Sequence, residues 1–523
     1  MGGAELNYHF VNSAILAALV SLFVLWRYRA AVLDGMMRGD NAAVPLPPTF
    51  RSAGDAAIAD RATLLQYERS LGRRIALAYW LTTLSCGIPL AAGYAYLSGW
   101  ELSPAYVLML ALCYSFACAP MIAVSLALPP LRALAALALL VSVSTTLAVG
   151  AALAQRAIAG KPIGLQHFGL IPLFLQMAAI QLWMPALFWL LTWPSRLRGV
   201  APITFAALLV FGLAPFAGSR LTAALAATEA GTPLVLKLGV SGMFVLIALP
   251  AGWLAWKRLH RLARDYDAKR FSDAQLLSRT WWLFLVATVG MEVAIARDRP
   301  AAALALCAGV AFAFGSVNRW WLARLRAGVR PMPARTLLLL RVFGFTARTE
   351  RLFDRIGARW RLFGPVTMIA APDVAARTID PGDYLRWLTG RVDELFVTSR
   401  ANLGAKLGAL DMAPDPDGRY RVNEFCCRDN TWQATVVELM QRADAVVMDV
   451  RGVTRERRGC EFELQQLAQR LPPHRLVLVA DSATDRGVLE SAFGAKLDDV
   501  RVIEVERTRD TAAVFAALLE AAR

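Results

Sequence analysis

The stretch 443–467, ADAVVMDVRGVTRERRGCEFELQQL, decides how the second half of the chain is interpreted. Its valine-rich run, residues 445–450, is short and apolar, which is typical of a strand buried on both faces of a parallel sheet. A polar segment follows, and from Cys460 onward apolar residues recur at helical spacing. The stretch therefore predicts a strand, a loop and an amphipathic helix in succession.

Two carboxylates, Glu461 and Glu463, are expected in the first turn of this helix, and Gly459 leaves room for a ligand before them. Open α/β sheets bind ligands beyond the carboxyl ends of their strands, where this turn would lie. A helix N-terminus favours an anion, so Glu463 is expected to be ionised at neutral pH. Glu461 points about 160° away around the helix, so only one of the pair can face the crevice.

Further candidate ligand-binding residues follow other predicted strands. Asp449 and Asp481 each stand at the carboxyl end of a strand, and Thr346 and Arg348 come after the first strand. Such side chains can bind ribose hydroxyls or phosphates. The alternative for the acidic residues of the helix is structural, because a carboxylate in a first turn also stabilises the helix dipole.

The composition indicates an integral membrane protein. Of 523 residues, 57% are hydrophobic and only 18% are charged, which is too apolar for an ordinary soluble chain. The formal charge of +16 lies in residues 1–335, with 29 Lys and Arg against 13 Asp and Glu, whereas residues 336–523 carry 27 of each. Basic residues collect in cytoplasmic loops of membrane proteins, and nucleic acid is therefore not an expected partner.

Apolar runs of spanning length predict about nine membrane spans and hence a lipid bilayer as partner. The loops assigned to the cytoplasm hold 23 Lys and Arg and those assigned outside hold 6, which predicts an outside N-terminus and a cytoplasmic C-terminal domain in a cell inner membrane. The runs start near Phe10, Ile75, Pro104, Ala133, Phe168, Pro202, Leu236, Trp281 and Ala301.

Residues 336–523 read as a separate α/β domain after the polytopic transmembrane domain of residues 1–335. Five predicted strands alternate with helices, which indicates a flavodoxin-like parallel sheet with helices on both faces. Residues 373–430 are polar and are expected to be irregular, apart from a helix over residues 384–397. The five strands are residues 336–344, 365–371, 445–450, 475–481 and 501–505.

Several kinds of site are not expected. The seven cysteines form no CxxC pair, so neither a metal site nor a disulfide framework is predicted, and none of the four histidines lies in the quoted stretch to act as a general base. No GxGxxG or GxxxxGK[ST] motif follows the first strand, which argues against a dinucleotide-type Rossmann site and a P-loop. No cofactor is expected.

The helix of the quoted stretch resembles a motif of the Toll/interleukin-1 receptor (TIR) domain. That family often has W-C-x-x-E-L at this place, and Cys460, Glu463 and Leu464 match it, with Gly459 at the tryptophan position. The resemblance implies a TIR-like domain in which Glu463 is catalytic, as in the members that cleave NAD. The same segment is similar to the nucleoside 2-deoxyribosyltransferase group, which Gly459 and Glu463 match.

Two functions from different classes remain open at this point. In the first, the domain is a hydrolase that cleaves an N-glycosidic bond of NAD or a nucleotide, where a carboxylate stabilises an oxocarbenium-like centre. In the second, it is a membrane-anchored nucleotide-sensing or protein-docking module in signalling, without turnover. A homo-oligomer is compatible with either.

Overall fold

A computed structural model describes most of the chain. The described residues are 3–38, 44–46, 61–99, 102–116, 225–228, 231–296, 299–330, 332–341, 347–370, 380–454, 458–506 and 511–522, together with scattered helical positions between 134 and 206. Thr346 lies outside the described residues. The predicted span starts near Ala133, Phe168 and Pro202 fall in the part of the chain where only scattered helical positions are described.

One sheet organises the second half of the described chain. Seven parallel strands lie in the order β3-β4-β2-β1-β5-β6-β7. The chain moves from β1 to one side of the sheet and later returns to pair β5 with the other side of β1, so the strand order reverses between these two strands. The strands are β1 Leu337–Arg341, β2 Val366–Ala370, β3 Phe396–Val397, β4 Val422–Cys427, β5 Ala445–Asp449, β6 Leu476–Ala480 and β7 Arg501–Glu504.

The central strands are apolar because helices cover both of their faces. Every residue of β1, β5 and β6 is buried. One core layer joins the sheet to four helices, and the opposite layer joins it to two helices of the same half and to Leu64 from the first half of the chain. The first four are α9 Arg400–Gly408, α10 Trp432–Arg442, α11 Arg458–Arg470 and α12 Arg486–Phe493, and the other two are α7 Ala347–Trp360 and α13 Thr511–Ala521.

The predicted parallel α/β sheet is confirmed, but the prediction for residues 373–430 is wrong. That segment contributes β3, β4, α9 and the helix α8 Pro381–Leu388 to the fold. The polar residues Asn423 and Glu424 interrupt the apolar character of β4, whose sequence is VNEFCC. A strand of this composition has no continuous apolar run, which explains why pattern reading missed it.

The described part of the first half of the chain is helical. Its described helices are α1 Gly3–Met37, α2 Arg61–Leu97, α3 Pro104–Phe116, α4 Gly231–Asp267, α5 Asp273–Ala296 and α6 Pro300–Arg326. Among the described residues, α2 and α6 are long and apolar enough to cross a membrane. The prediction of nine spans is therefore not supported by the described residues, and several of the predicted runs lie in residues 117–224, most of which are outside them.

Polar contacts dock the sheet domain onto the helical half. A buried chain of hydrogen bonds starts at Asp417, which accepts from the Ser272 hydroxyl at 2.7 Å. It continues inside the helices, where Gln275 donates to Asn318 at 2.9 Å and Asn318 donates to Thr82 at 3.2 Å. Buried groups thus hold the domain to the start of α5 and, through it, to α6.

Two further contacts extend this docking to the other helices. Arg359 of α7 forms a salt bridge with Glu68 of α2, with the Nη2 to Oε2 distance at 2.6 Å. The helix α1 lies so close to β3 that a Cβ atom on Gly35 would overlap the ring of Phe396. Close approach explains the glycine at this position.

Candidate functional site

A cavity of about 220 Å³ lies beyond the carboxyl ends of β1, β2 and β4. It sits beside the point where the strand order reverses, which is where open α/β sheets place their ligands. Helices α10 and α11 complete its walls. The lining residues are Leu339, Leu340, Arg341, Ile369, Ala370, Cys427, Arg428, Asp429, Trp432, Gly459 and Glu463.

Glu463 is the buried carboxyl group of this cavity wall. Its side chain is 7% exposed, and its Oε2 atom has no hydrogen-bond partner among the described residues. Burial raises the pKa of Glu463 to about 8, although the positive charge of Arg341 opposes the shift. The carboxyl group is therefore mostly protonated at neutral pH in the absence of a ligand.

Two expectations for Glu463 are corrected by this geometry. The helix α11 begins at Arg458, so Glu461 lies in its first turn and Glu463 in its second. The pKa of Glu463 is also raised where a lowered one was expected, because removal from water outweighs the attraction of the positive charge of Arg341. Glu461, by contrast, is exposed and accepts a 3.4 Å hydrogen bond from Gln465 on the outer face.

Arg341 faces the cavity from the end of β1. Its side chain is 9% exposed, and its charge acts on Glu463 across the space between them. In the sheet register Arg341 lies opposite Asp449 of β5. Arg341 therefore supplies a cation beside β5, where the strand order reverses, and near the carboxyl group of Glu463.

The remaining walls contribute an aromatic ring and a second cation. Trp432, the first residue of α10, packs edge to face against Phe462 with ring centroids 5.4 Å apart. Arg428 lies just after β4, and its buried Nε atom has no hydrogen-bond partner among the described residues. Burial raises the pKa of the Cys427 thiol to about 12, so this cysteine is not a thiolate nucleophile at neutral pH.

Three of the predicted ligand-binding residues form a second cluster at the ends of β5 and β6. Asp449 is held by Arg451 through bonds of 2.8 and 2.7 Å. Asp481 accepts from the backbone N–H of Gly452 at 3.1 Å and pairs with Arg348 at 3.4 Å. These carboxylates are engaged with neighbouring groups and do not line the cavity.

The structure thus brings together two of the predicted site residues, Gly459 and Glu463, and separates them from Arg348, Asp449 and Asp481. Sequence reasoning missed Arg341 and Trp432. A charged residue that closes the leucine run of β1 was an available signal for Arg341. Trp432 carried no comparable signal, because a tryptophan at the start of an amphipathic helix is usually part of a core.

No protein-family model matches the chain, and neither a curated protein nor a solved structure matches it. The resemblance to TIR domains and deoxyribosyltransferases therefore stays a hypothesis carried by short motifs.

Proposed function

We propose that the chain is a multi-pass protein of the inner membrane whose cytoplasmic domain cleaves the N-glycosidic bond of NAD or a related pyridinium nucleotide. The observation that carries this proposal is the buried carboxyl group of Glu463, which lines a cavity at the carboxyl edge of the sheet with one oxygen unpartnered. Strongly perturbed carboxyl groups in such clefts are candidates for catalysis.

The proposed reaction needs one carboxylate and one water. The bond between C1′ of the ribose and the ring nitrogen breaks, and its electron pair returns to the nicotinamide ring, which leaves as a neutral molecule. Ionised Glu463 stabilises the positive charge that develops at C1′. Water then adds its oxygen to C1′ and releases a proton, which the Glu463 carboxylate can accept.

A pyridinium substrate fits this cavity better than a neutral nucleoside. A purine must be protonated as it leaves while an anion stabilises C1′, and Glu463, the only buried carboxyl group among the described lining residues, cannot be protonated and ionised at once. A nicotinamide ring needs no such proton. Its positive charge also favours the ionised form of Glu463, so substrate binding would convert the protonated carboxyl group into the reactive anion.

The size of the cavity limits what it can hold. Its volume of about 220 Å³ lies below the roughly 300 to 1,000 Å³ of typical ligand sites. The nicotinamide ring and part of the ribose would fill it, and the diphosphate would lie at its mouth. The guanidinium group of Arg428, a lining residue of the cavity, would bind a phosphate oxygen there.

A nucleotide-sensing module without turnover is the second candidate function. The raised pKa of Glu463, about 8, favours it, because a protonated carboxyl group is a good hydrogen-bond donor to a ligand and a poor stabiliser of a cation. In that case the helical half would respond to occupancy of the cavity.

Incubation of the full-length protein with NAD separates the two functions. Release of nicotinamide, followed by chromatography, supports the enzyme. Saturable binding of NAD with no nicotinamide released supports the sensor, and absence of both binding and release would overturn both proposals. Ionisation is tested in the same assay, since activity should increase as the pH rises toward about 8.

A further inference from the structure

The helix α4 changes character along one exposed face. Large apolar side chains are exposed in its middle, including Leu246, Leu249 and Trp253, the last at 60%. From Lys257 onward, four basic side chains are exposed along the end of this helix. These are the exposed residues Lys257, Arg258, Arg261 and Arg264, which we name the basic stripe.

The opposite face of this helix end is packed against the sheet domain. Ala263 and Tyr266 are buried in a cluster that also contains Leu385 of α8. The ring of Tyr266 is also covered by the guanidinium of Arg421, 3.9 Å from its centroid. The rotation of the helix is thus fixed, and the basic stripe faces away from the protein.

The basic stripe is not neutralised by the acidic residues next to it. Asp265 pairs with Arg270 at 3.2 Å. Asp267 is held by two arginines of the sheet domain, Arg386 at 3.2 Å and Arg391 at 3.0 Å. The carboxylates closest in sequence are therefore engaged elsewhere.

The cations of the basic stripe also repel one another. Lys257, Arg261 and Arg264 follow one another at spacings of four and three residues, so they lie on one line along the helix. Like charges at these spacings repel and destabilise a helix. An external anion that binds along this line would remove the repulsion.

We infer that the basic stripe binds the headgroups of anionic phospholipids. The inference rests on the proposed membrane location of the helices. Trp253 lies one turn before Lys257 and Trp256 directly before it, and tryptophan concentrates at the level of the lipid headgroups. Lys257 lies over the Trp253 ring, with its Nζ atom 3.6 Å from the centroid, so cation and aromatic ring occupy the same level. Along the helix, exposed apolar side chains are followed by tryptophans and then by cations that have no ion pair among the described residues. An anionic bilayer has the same order of layers, from hydrocarbon to headgroup, whereas a soluble acidic partner has no apolar layer to match.

The test compares lipid binding by purified full-length protein in a neutral detergent. Fluorescent phosphatidylglycerol and phosphatidylcholine are titrated into the protein and into a variant with Lys257→Gln, Arg261→Gln and Arg264→Gln. A charge-matched control carries Arg38→Gln, Arg61→Gln and Arg486→Gln, whose guanidinium groups each pair with a carboxylate. A third variant, Arg261→Lys with Arg264→Lys, keeps the charge of the stripe.

The protein should prefer phosphatidylglycerol, and the stripe variant should bind it roughly a hundredfold more weakly. The control and the lysine variant should keep the preference. An unchanged preference in the stripe variant, no preference in the unmodified protein, or equally tight binding of soluble glycerol phosphate would overturn the inference. Nicotinamide release measured on the same samples reports separately on the proposed enzyme, so the two proposals can fail independently.

Discussion

At the scale of single residues, the protonation of Glu463 is decided by two opposing effects of known size. A helix N-terminus stabilises an anion by about 0.3 to 1 kcal/mol, which is less than about one pKa unit. Burial of a carboxyl group can shift its pKa by about 3 to 5 units. The sequence shows the helix start but not the depth of burial, so the sign of the shift could not be predicted from it.

Arg341 provides a test of this electrostatic balance. Its charge lowers the pKa of Glu463 against the effect of burial. The substitution Arg341→Gln should therefore raise this pKa and shift the rising limb of the pH profile of nicotinamide release to higher pH. Arg486→Gln, at an exposed salt bridge far from the cavity, is the control. A profile that stays in place in the Arg341 variant would show that Arg341 does not act on the titrating group.

The stability of the protein should depend on pH through the same residue. The Glu463 carboxyl group has an ordinary pKa of 4.5 and a folded pKa of about 8, so the native state binds more protons between these values. Its contribution to stability is complete below about pH 4.5 and is lost as the pH rises through about 8.

The substitution Glu463→Gln removes the titrating carboxyl group, and with it the loss of stability at high pH. Thermal unfolding of both proteins at pH 5 and at pH 9 should show that the variant gains stability relative to the unmodified protein at the higher pH. An equal difference between the two proteins at both pH values would mean that the carboxyl group is not buried as described.

At the scale of secondary-structure elements, the predictable parts were those with a continuous apolar pattern. The runs in β1, β5 and β6 marked fully buried strands, and the spacing of apolar residues marked α11. The strand β4 was not predicted because its polar residues Asn423 and Glu424 break the apolar pattern. Both become partly buried only when the neighbouring elements pack around them. The cavity wall that β4 supplies, with Cys427 and Arg428, was missed with it.

The packing of α11 beneath the cavity can be tested with Leu464, which follows Glu463 and is fully buried in the core. Leu464→Ala should destabilise the protein by about 2 to 5 kcal/mol, since it removes buried methyl groups and leaves a void. Gln465→Ala, on the exposed side of the same turn, should change stability by less than about 0.5 kcal/mol. Chemical denaturation of both variants measures the difference, and similar losses would contradict the described orientation of the helix.

At the scale of the whole molecule, the division into a helical half and a sheet domain followed from composition, but their docking did not. Ser272 and Asp417 are 145 residues apart and belong to no shared pattern. Contacts of this kind depend on how two folded units meet. The predicted count of nine spans is not supported, since the described residues hold two helices of sufficient length and apolarity.

Residues 336–523 should fold without the helical half, because the sheet and both of its core layers lie largely within this segment. The fragment should be less stable than the domain in the full chain, since Asp417 loses its bond to Ser272 and α7 loses the pairing of Arg359 with Glu68. Calorimetry should show one cooperative transition at a lowered temperature. A fragment without cooperative unfolding would place the domain boundary elsewhere.

The most direct test of the central claim compares two glutamates that lie two residues apart on α11. Glu463 lines the cavity and Glu461 is exposed. Nicotinamide release from NAD is measured with full-length Glu463→Gln and Glu461→Gln under identical conditions, with thermal unfolding as a check on folding. The proposed function predicts that the Glu463 variant loses several orders of magnitude in rate while the Glu461 variant stays close to the unmodified protein. Equal rates in the two variants would contradict the assignment of Glu463 as the catalytic carboxylate.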